Sequence, residues 1–324
     1  MIVVTTPTGQ IGRRLVDLLL AAPEPADAQL VQTVRVITRD PDALDPAVRD
    51  RVEAVAGSHR DPAVLDRAFD GADSVFWLVP PDPRTPGSAT EYYLGFTGPA
   101  CEALARHRVR RVVAVTSLGH GYPHQAGTLS AAFAMDAAFA RTGVGYRGLA
   151  APFFLENLIG QAAAIRDRGE FTMALDAARP LATVAVDDIA TLAAELLLDP
   201  AWSDQAMVPV SSPEDLTPDQ LAAVMAQVLG SPVRYRQTSV EEFHAMLLGH
   251  GVAAGWARDV ATMVRAQNDG IYDAEPHLPP RLSQPTRLSQ PTCLSQPTDF
   301  RAWCERRLEP VWRKPEAGAP KLET

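Results

Sequence analysis

The residues best equipped to move protons stand in one run, Ser117-Leu-Gly-His-Gly-Tyr-Pro-His124. A serine hydroxyl and a tyrosine phenol can each donate a hydrogen bond to a developing oxyanion, and the imidazoles of His120 and His124 exchange protons near neutral pH. Ser117, His120, Tyr122 and His124 are therefore the candidate catalytic residues. The same run, broken by Gly119, Gly121 and Pro123, equally suits a solvated loop with Tyr122 packing its ring in a cleft wall. A second chemical feature lies at the start of the chain, where an apolar stretch passes through Thr6-Pro-Thr-Gly9 into helical spacing. Free N–H groups and the dipole at such a helix start attract a phosphate. Gly9 would let a pyrophosphate approach the backbone and Gly12 would let helix pack on strand, whereas Thr6 stands where a dinucleotide turn carries its first glycine. Arg39 follows a second apolar run, at the place where an arginine suits an adenosine 2′-phosphate; the adjacent Asp40 would suit a free hydroxyl, and both choices stay open. Arg13 and Arg14 are further phosphate candidates.

Positioning these residues together requires a parallel sheet. Apolar strands are expected at 2–4, 34–38, 52–56, 73–79, 112–116 and 145–150, alternating with helices from about 10 to 22, 62–69, 91–108 and 130–141. Asp61 caps the second of these helices and Pro62 occupies its first position. This alternation predicts an α/β, doubly wound Rossmann sheet, whose ligands lie at the carboxyl ends of the strands. Pro80-Pro81-Asp82-Pro83 stops the fourth strand at that edge. After Asn157 the pattern turns to helices with irregular joins. Asp187-Asp188 heads a helix through Leu198, and 206–210 reads as a last strand able to join the main sheet. Thr217-Pro-Asp-Gln220 and Ser239-Val-Glu-Glu242 are capping boxes that start two more helices. The expected division is a nucleotide-binding domain over 1–155, a smaller, mainly helical substrate lobe over 156–275, and a proline-rich tail over 276–324.

Composition narrows the function. A net charge of -9 gives no standing attraction to nucleic acid or anionic membrane, and no apolar run reaches spanning length. A strand beginning at Ile2 leaves no room for a signal peptide, and Cys101, Cys293 and Cys304 follow neither metal nor disulfide spacing. These features predict a cytoplasmic monomer or homodimer acting on a small molecule. Lysine occurs only at Lys314 and Lys321.

Taken together, the ordered motifs resemble those of NmrA-like, atypical short-chain dehydrogenase/reductases over roughly residues 1–267. Thr5-Thr-Pro-Thr-Gly-Gln-Ile-Gly12 resembles the family's nucleotide turn, Thr38-Arg-Asp-Pro41 its adenosine-side motif, and Val75-Phe-Trp-Leu-Val-Pro-Pro81 its fourth strand. Val112-Val-Ala-Val-Thr-Ser-Leu-Gly119 is similar to the strand ending at the catalytic serine, Pro152-Phe-Phe-Leu-Glu-Asn157 to the loop that passes the nicotinamide, and Val186-Asp-Asp-Ile-Ala190 to the helix start behind it. The resemblance implies NADP(H) binding by Thr6, Thr8, Gly9, Gln10, Ile11, Gly12, Arg39, Val79, Pro80, Thr116, Pro152 and Phe153.

Departures limit the chemistry. Where the family places Tyr-x-x-x-Lys, this chain reads Ser130-Ala-Ala-Phe-Ala-Met-Asp136, so a tyrosine assisted by lysine is excluded. Ser58 stands where the family often carries an aspartate at the adenine side. Three functions fit what remains: an NADPH-dependent reductase of a quinone-like or enone substrate, a regulator that senses NADP(H) without catalysis, and a non-redox acid/base enzyme. Trp77, Phe153, Phe154 and Trp256 are candidates to line an apolar substrate pocket, although such aromatics equally suit the core. The tail repeats Leu-Ser-Gln-Pro-Thr three times between Arg281 and Thr298, which predicts a loop expansion, after which Phe300 and Trp303 have the spacing to dock a helix.

Overall fold

The computed structural model describes residues 1–22, 33–274 and 297–313. The first half alternates as its periodicity demands: β1 (Ile2–Thr5), α1 (Gln10–Ala21), β2 (Val34–Thr38), a single turn α2 (Pro46–Arg49), β3 (Glu53–Ala56), α3 (Pro62–Phe69) and β4 (Ser74–Trp77). Then come α4 (Ala89–His107), β5 (Arg111–Ser117), α5 (Thr128–Thr142) and β6 (Gly145–Ala151). The remainder comprises β7 (Phe153–Phe154), α6 (Ala162–Arg168), β8 (Glu170–Met173), β9 (Thr183–Val184), α7 (Val186–Leu198) and β10 (Gln205–Pro209). It continues with α8 (Pro218–Leu229), β11 (Arg234–Gln237), α9 (Val240–Gly249) and α10 (Ala254–Asn268). A C-terminal helix follows the tail as α11 (Phe300–Trp303), one π turn over Cys304–Leu308, and α12 (Glu309–Arg313).

Seven strands form one parallel sheet in the order β10-β6-β5-β4-β1-β2-β3, so the chain reverses direction across the sheet between β1 and β4. Strands buried on both faces must be apolar throughout, and β1, β4 and β5 are fully buried. On one face α3, α4 and α5 cover Val75, Trp77 and Ala114; on the other α1 and α7 cover Val4, Phe76 and Val113. Trp77 and Trp256, considered as pocket residues from sequence, are instead core: they are 0% and 3% exposed in the first cluster.

The chain after 151 is mainly helical, as expected, with short strands added. It holds two small parallel ladders, β8 with β11 and β7 with β9, alongside the helices. Strands of four and two residues with partners far along the chain leave no periodicity to read. The last strand does join the main sheet through β6, and both capping boxes form. Phe300 and Trp303 are buried, as their spacing requires. Pro23 to Pro25, Cys293 and nearly all of the hexapeptide repeat lie outside the described residues.

One seam joins α10 to the sheet-covering helices. The Asp259 carboxylate accepts the N–H of Ala89, the first residue of α4, at 2.8 Å. Gly127, at the start of α5, lies so close to the carbonyl of Asp259 that any Cβ there would overlap it. Among the described residues no helix is long and apolar enough to cross a membrane.

Candidate functional site

The carboxyl ends of β1, β2, β3 and β4 open into a cleft of about 840 Å³. Thr6, Thr8, Gly9 and Gln10 line it with Arg13 and Arg14, because β1 delivers the turn to the edge and α1 begins there. Thr5 fixes that turn: its hydroxyl donates to the Phe76 carbonyl at 3.1 Å and accepts the Leu78 N–H at 3.0 Å, tying the ends of β1 and β4 together. Thr6 takes a left-handed φ of 51°, the conformation in which a glycine costs nothing. Its Oγ1 is buried without a protein partner. Gly12 is the packing glycine, since a Cβ there would overlap the Thr6 carbonyl, whereas one at Gly9 would meet only Thr6 O at 3.5 Å. A phosphate fits this turn: the helix start faces the cleft, no side chain caps it, and a buried hydroxyl awaits an acceptor.

Farther along, Arg39 lines the cleft at the end of β2 and makes no ion pair among the described residues. Asp40 is committed elsewhere, its carboxylate accepting the Asp42 N–H at 3.0 Å as the cap of a short turn. The loop after β3 adds Ser58 and His59 to the wall. His59 is 6% exposed, packs edge-on against Trp77 with centroids 5.1 Å apart, and lies 3.1 Å from the Leu78 carbonyl. Burial, and secondarily the Arg39 guanidinium, push its pKa down to about 4, so it is neutral and donates from Nε2. Sequence reasoning passed over His59; its one signal was an imidazole directly after a strand, at the ligand edge of the sheet.

Not every residue implied by the resemblance reaches the cleft. Ile11 and Val79 turn into the two cores, and Pro152 is buried, so their side chains do not line it. Thr116 turns its hydroxyl to Asp136, and Phe153 packs between the two clusters of the C-terminal part. Pro80 lines the wall, where its carbonyl accepts the Tyr92 hydroxyl at 3.0 Å.

At the carboxyl end of β5, next to β4, stands the proton-handling loop. Ser117 is 5% exposed; its hydroxyl donates to the Leu118 carbonyl at 3.0 Å, and the Tyr272 side chain lies close by. The Tyr272 hydroxyl accepts from Gln267 Nε2 at 3.1 Å, and burial raises its pKa. His120 Nε2 lies 2.8 Å from Asp136, a carboxylate on α5 that also accepts from Thr116 and Tyr146. The His120 ring packs on Phe133 with centroids 4.2 Å apart. Tyr122 is turned outward, 3.4 Å from Asp269, and His124 is exposed beside it. The structure therefore brings Ser117 and His120 into buried networks and leaves Tyr122 and His124 at the rim. Tyr272 and Asp136 were not among the sequence candidates. Asp136 did leave a signal, a charge on the apolar stripe formed by Ala132, Met135 and Phe139.

Comparison with known proteins agrees with this geometry. The pattern of an NAD(P)H-binding family matches residues 7–200, and that of the NmrA-like family matches residues 141–303. The chain is 30% identical over 250 residues to a (4-alkanoyl-5-oxo-2,5-dihydrofuran-3-yl)methyl phosphate reductase of Streptomyces griseus subsp. griseus, covering 76% of this chain and 80% of that one. It is 28% identical over 254 residues to an NAD(P)H azoreductase of Xenophilus azovorans, with 78% and 82% covered. Among solved structures, the triphenylmethane reductase of Citrobacter sp. superposes with a TM-score of 0.71 at 19% identity, covering 94% of this chain and 98% of that one. An NADPH-dependent quinone oxidoreductase of Escherichia coli, complexed with NADPH, gives 0.68 at 21% identity, with 84% and 90% covered.

Proposed function

The chain belongs to the NmrA-like, NAD(P)H-binding family, and we propose that it is an NADPH-dependent reductase of a quinone-like or α,β-unsaturated small molecule. The carrying observation is that the turn from Thr6 to Gln10, an Arg39 with no ion pair among the described residues and the Ser117 loop share one edge of a single sheet. Arg39, with no carboxylate partner among the described residues and beside an Asp40 already engaged, favours a nucleotide bearing the 2′-phosphate. Bound NADPH would supply the hydride.

The chain's own residues then have to hold an anion and return a proton. Reduction of an isolated ketone leaves an alkoxide that needs a strong, well-placed acid, and this chain lacks the lysine-assisted tyrosine. A quinone or enone leaves a delocalised anion that weaker donors can hold. Ser117, which would have to turn its hydroxyl from the Leu118 carbonyl, is the donor for that task, with the Tyr272 side chain close by. Two relatives are named for substrates of this electronic kind, a 5-oxo-2,5-dihydrofuran and an azo compound.

The test is to mix purified protein with NADPH and a panel of quinones, enones and simple ketones, following nucleotide oxidation against an uncatalysed blank. Turnover of the conjugated compounds, with little on the ketones, is the expected result. Tight NADPH binding without turnover anywhere in the panel would move the chain to the nucleotide-sensing class.

A further inference from the structure

The C-terminal helix lies beyond the alternating strands and helices, yet it returns to the nucleotide cleft. Phe300, Trp303, Cys304 and Leu308 are buried against α6 and α8. Trp303 Nε1 donates to Glu156 at 3.0 Å, and the other oxygen of Glu156 accepts the N–H of Val186 at 3.1 Å. Thr298 donates its N–H and its hydroxyl to Asp188 at 2.8 and 2.9 Å. These contacts seat the helix against the first turn of α7 without help from its charged residues.

Arg307 is placed by that seating. Its guanidinium lies 2.9 Å from Asp187, and both residues line the same cleft as the turn from Thr6 to Gln10. The two side chains are 45% and 41% exposed, so this pair contributes little to holding the helix down. Its position is informative for another reason. α7 packs beside α1 on one face of the sheet, and Arg307 lines the same cleft as the helix start of α1 and as Arg39 at the end of β2.

We propose that Arg307 is a pyrophosphate-binding residue, delivered by the C-terminal helix, which exchanges Asp187 for a phosphate oxygen when the dinucleotide enters. A guanidinium suits this exchange because it stays charged and can bond two phosphate oxygens at once. The proposal rests on the NADP(H) reading of the cleft, and Asp187 is the competitor that the nucleotide must displace.

Calorimetric titration of the full chain with NADPH and with NADH separates the outcomes. Arg307→Ala should weaken both nucleotides by at least about ten-fold, the loss of one charge-assisted contact. Asp187→Asn should tighten both by about two- to five-fold, because it removes a competing surface charge. A pair that merely docks the helix would be broken equally by either variant, so equal weakening and equal falls in melting temperature would overturn the proposal. Unchanged binding in Arg307→Ala overturns it alone, and a loss confined to NADPH would reassign Arg307 to the 2′-phosphate. Wild-type protein that binds neither nucleotide would overturn this proposal together with the cofactor reading beneath it.

Discussion

In the nucleotide cleft, the phosphate turn and the Arg39 side are shaped largely by residues close in sequence: Thr6 and Gly9 belong to one turn with Gly12 just inside α1, and Asp40 caps its own turn beside Arg39, while Thr5 ties that turn to β4. In the loop after β5, Ser117 donates to the neighbouring Leu118 carbonyl, and the other contacts come from afar. Asp136 on α5 orients His120, Tyr272 from beyond α10 meets Ser117, and Asp269 faces Tyr122. The difference follows from the chemistry. A phosphate is recognised by backbone N–H groups and charge, which tolerate substitutions such as Thr6 in the first-glycine position. Proton handling demands fixed distances, and only tertiary contacts fix a loop side chain.

If the two ends are separable in this way, Ser117→Ala should lower kcat on a conjugated substrate by about 10²–10³, the usual consequence of losing an anion-holding donor. NADPH affinity, read by calorimetry, should stay at its wild-type value. Tyr272→Phe, which keeps the ring in its apolar cluster, should give a smaller loss of kcat. Parallel falls in affinity and turnover would show instead that the two ends act as one unit.

The next effect belongs to the wall of the nucleotide cleft. His59 is held neutral, so its folded pKa of about 4 lies below the unfolded value of 6.5. For a base depressed by folding, the contribution to stability is fully present above pH 6.5 and is lost as pH falls through about 4. The total is about 3 kcal/mol. Denaturant melts at intervals from pH 7 to pH 4 should show this loss in the wild type and a shallower slope in His59→Gln. Identical slopes would mean that His59 is not buried as described.

The smallest effect sharpens the nucleotide end alone. Arg39→Ala should erase a preference for NADPH over NADH of about 1.5–3 kcal/mol, the value of a charge-assisted contact, and leave NADH affinity unaltered. Equal affinities of the unmodified protein for the two nucleotides would remove the argument for Arg39.

What could be read from sequence follows the same division. The strands, the turn at Thr6, the caps at Asp61, Thr217 and Ser239, and the adjacency of Ser117 to the ligand edge are local patterns, and each has its counterpart in the structure. Tyr272 and Arg307 had no such pattern. Their neighbours in sequence say nothing of Ser117 or of the phosphate turn, and their placement depends on how distant elements close. His120 and His124 looked alike as loop imidazoles, and only a buried carboxylate a helix away distinguishes them. The short ladders β7 with β9 and β8 with β11 escaped for the same reason, since pairing at long range leaves no mark in a run of two to four residues.

The contact between Asp259 and the starts of α4 and α5 also bears on motion. Because Gly127 leaves no gap for a side chain and Ala89 is held through its N–H, α10 cannot swing outward without freeing the first N–H of α4, whose Ser88 cap is separate, and parting two backbones. α10 is therefore expected to move together with the starts of α4 and α5. Amide exchange along the first turn of α4 should be slow for a helix start, at a rate set by the opening of α10 and not by local fraying.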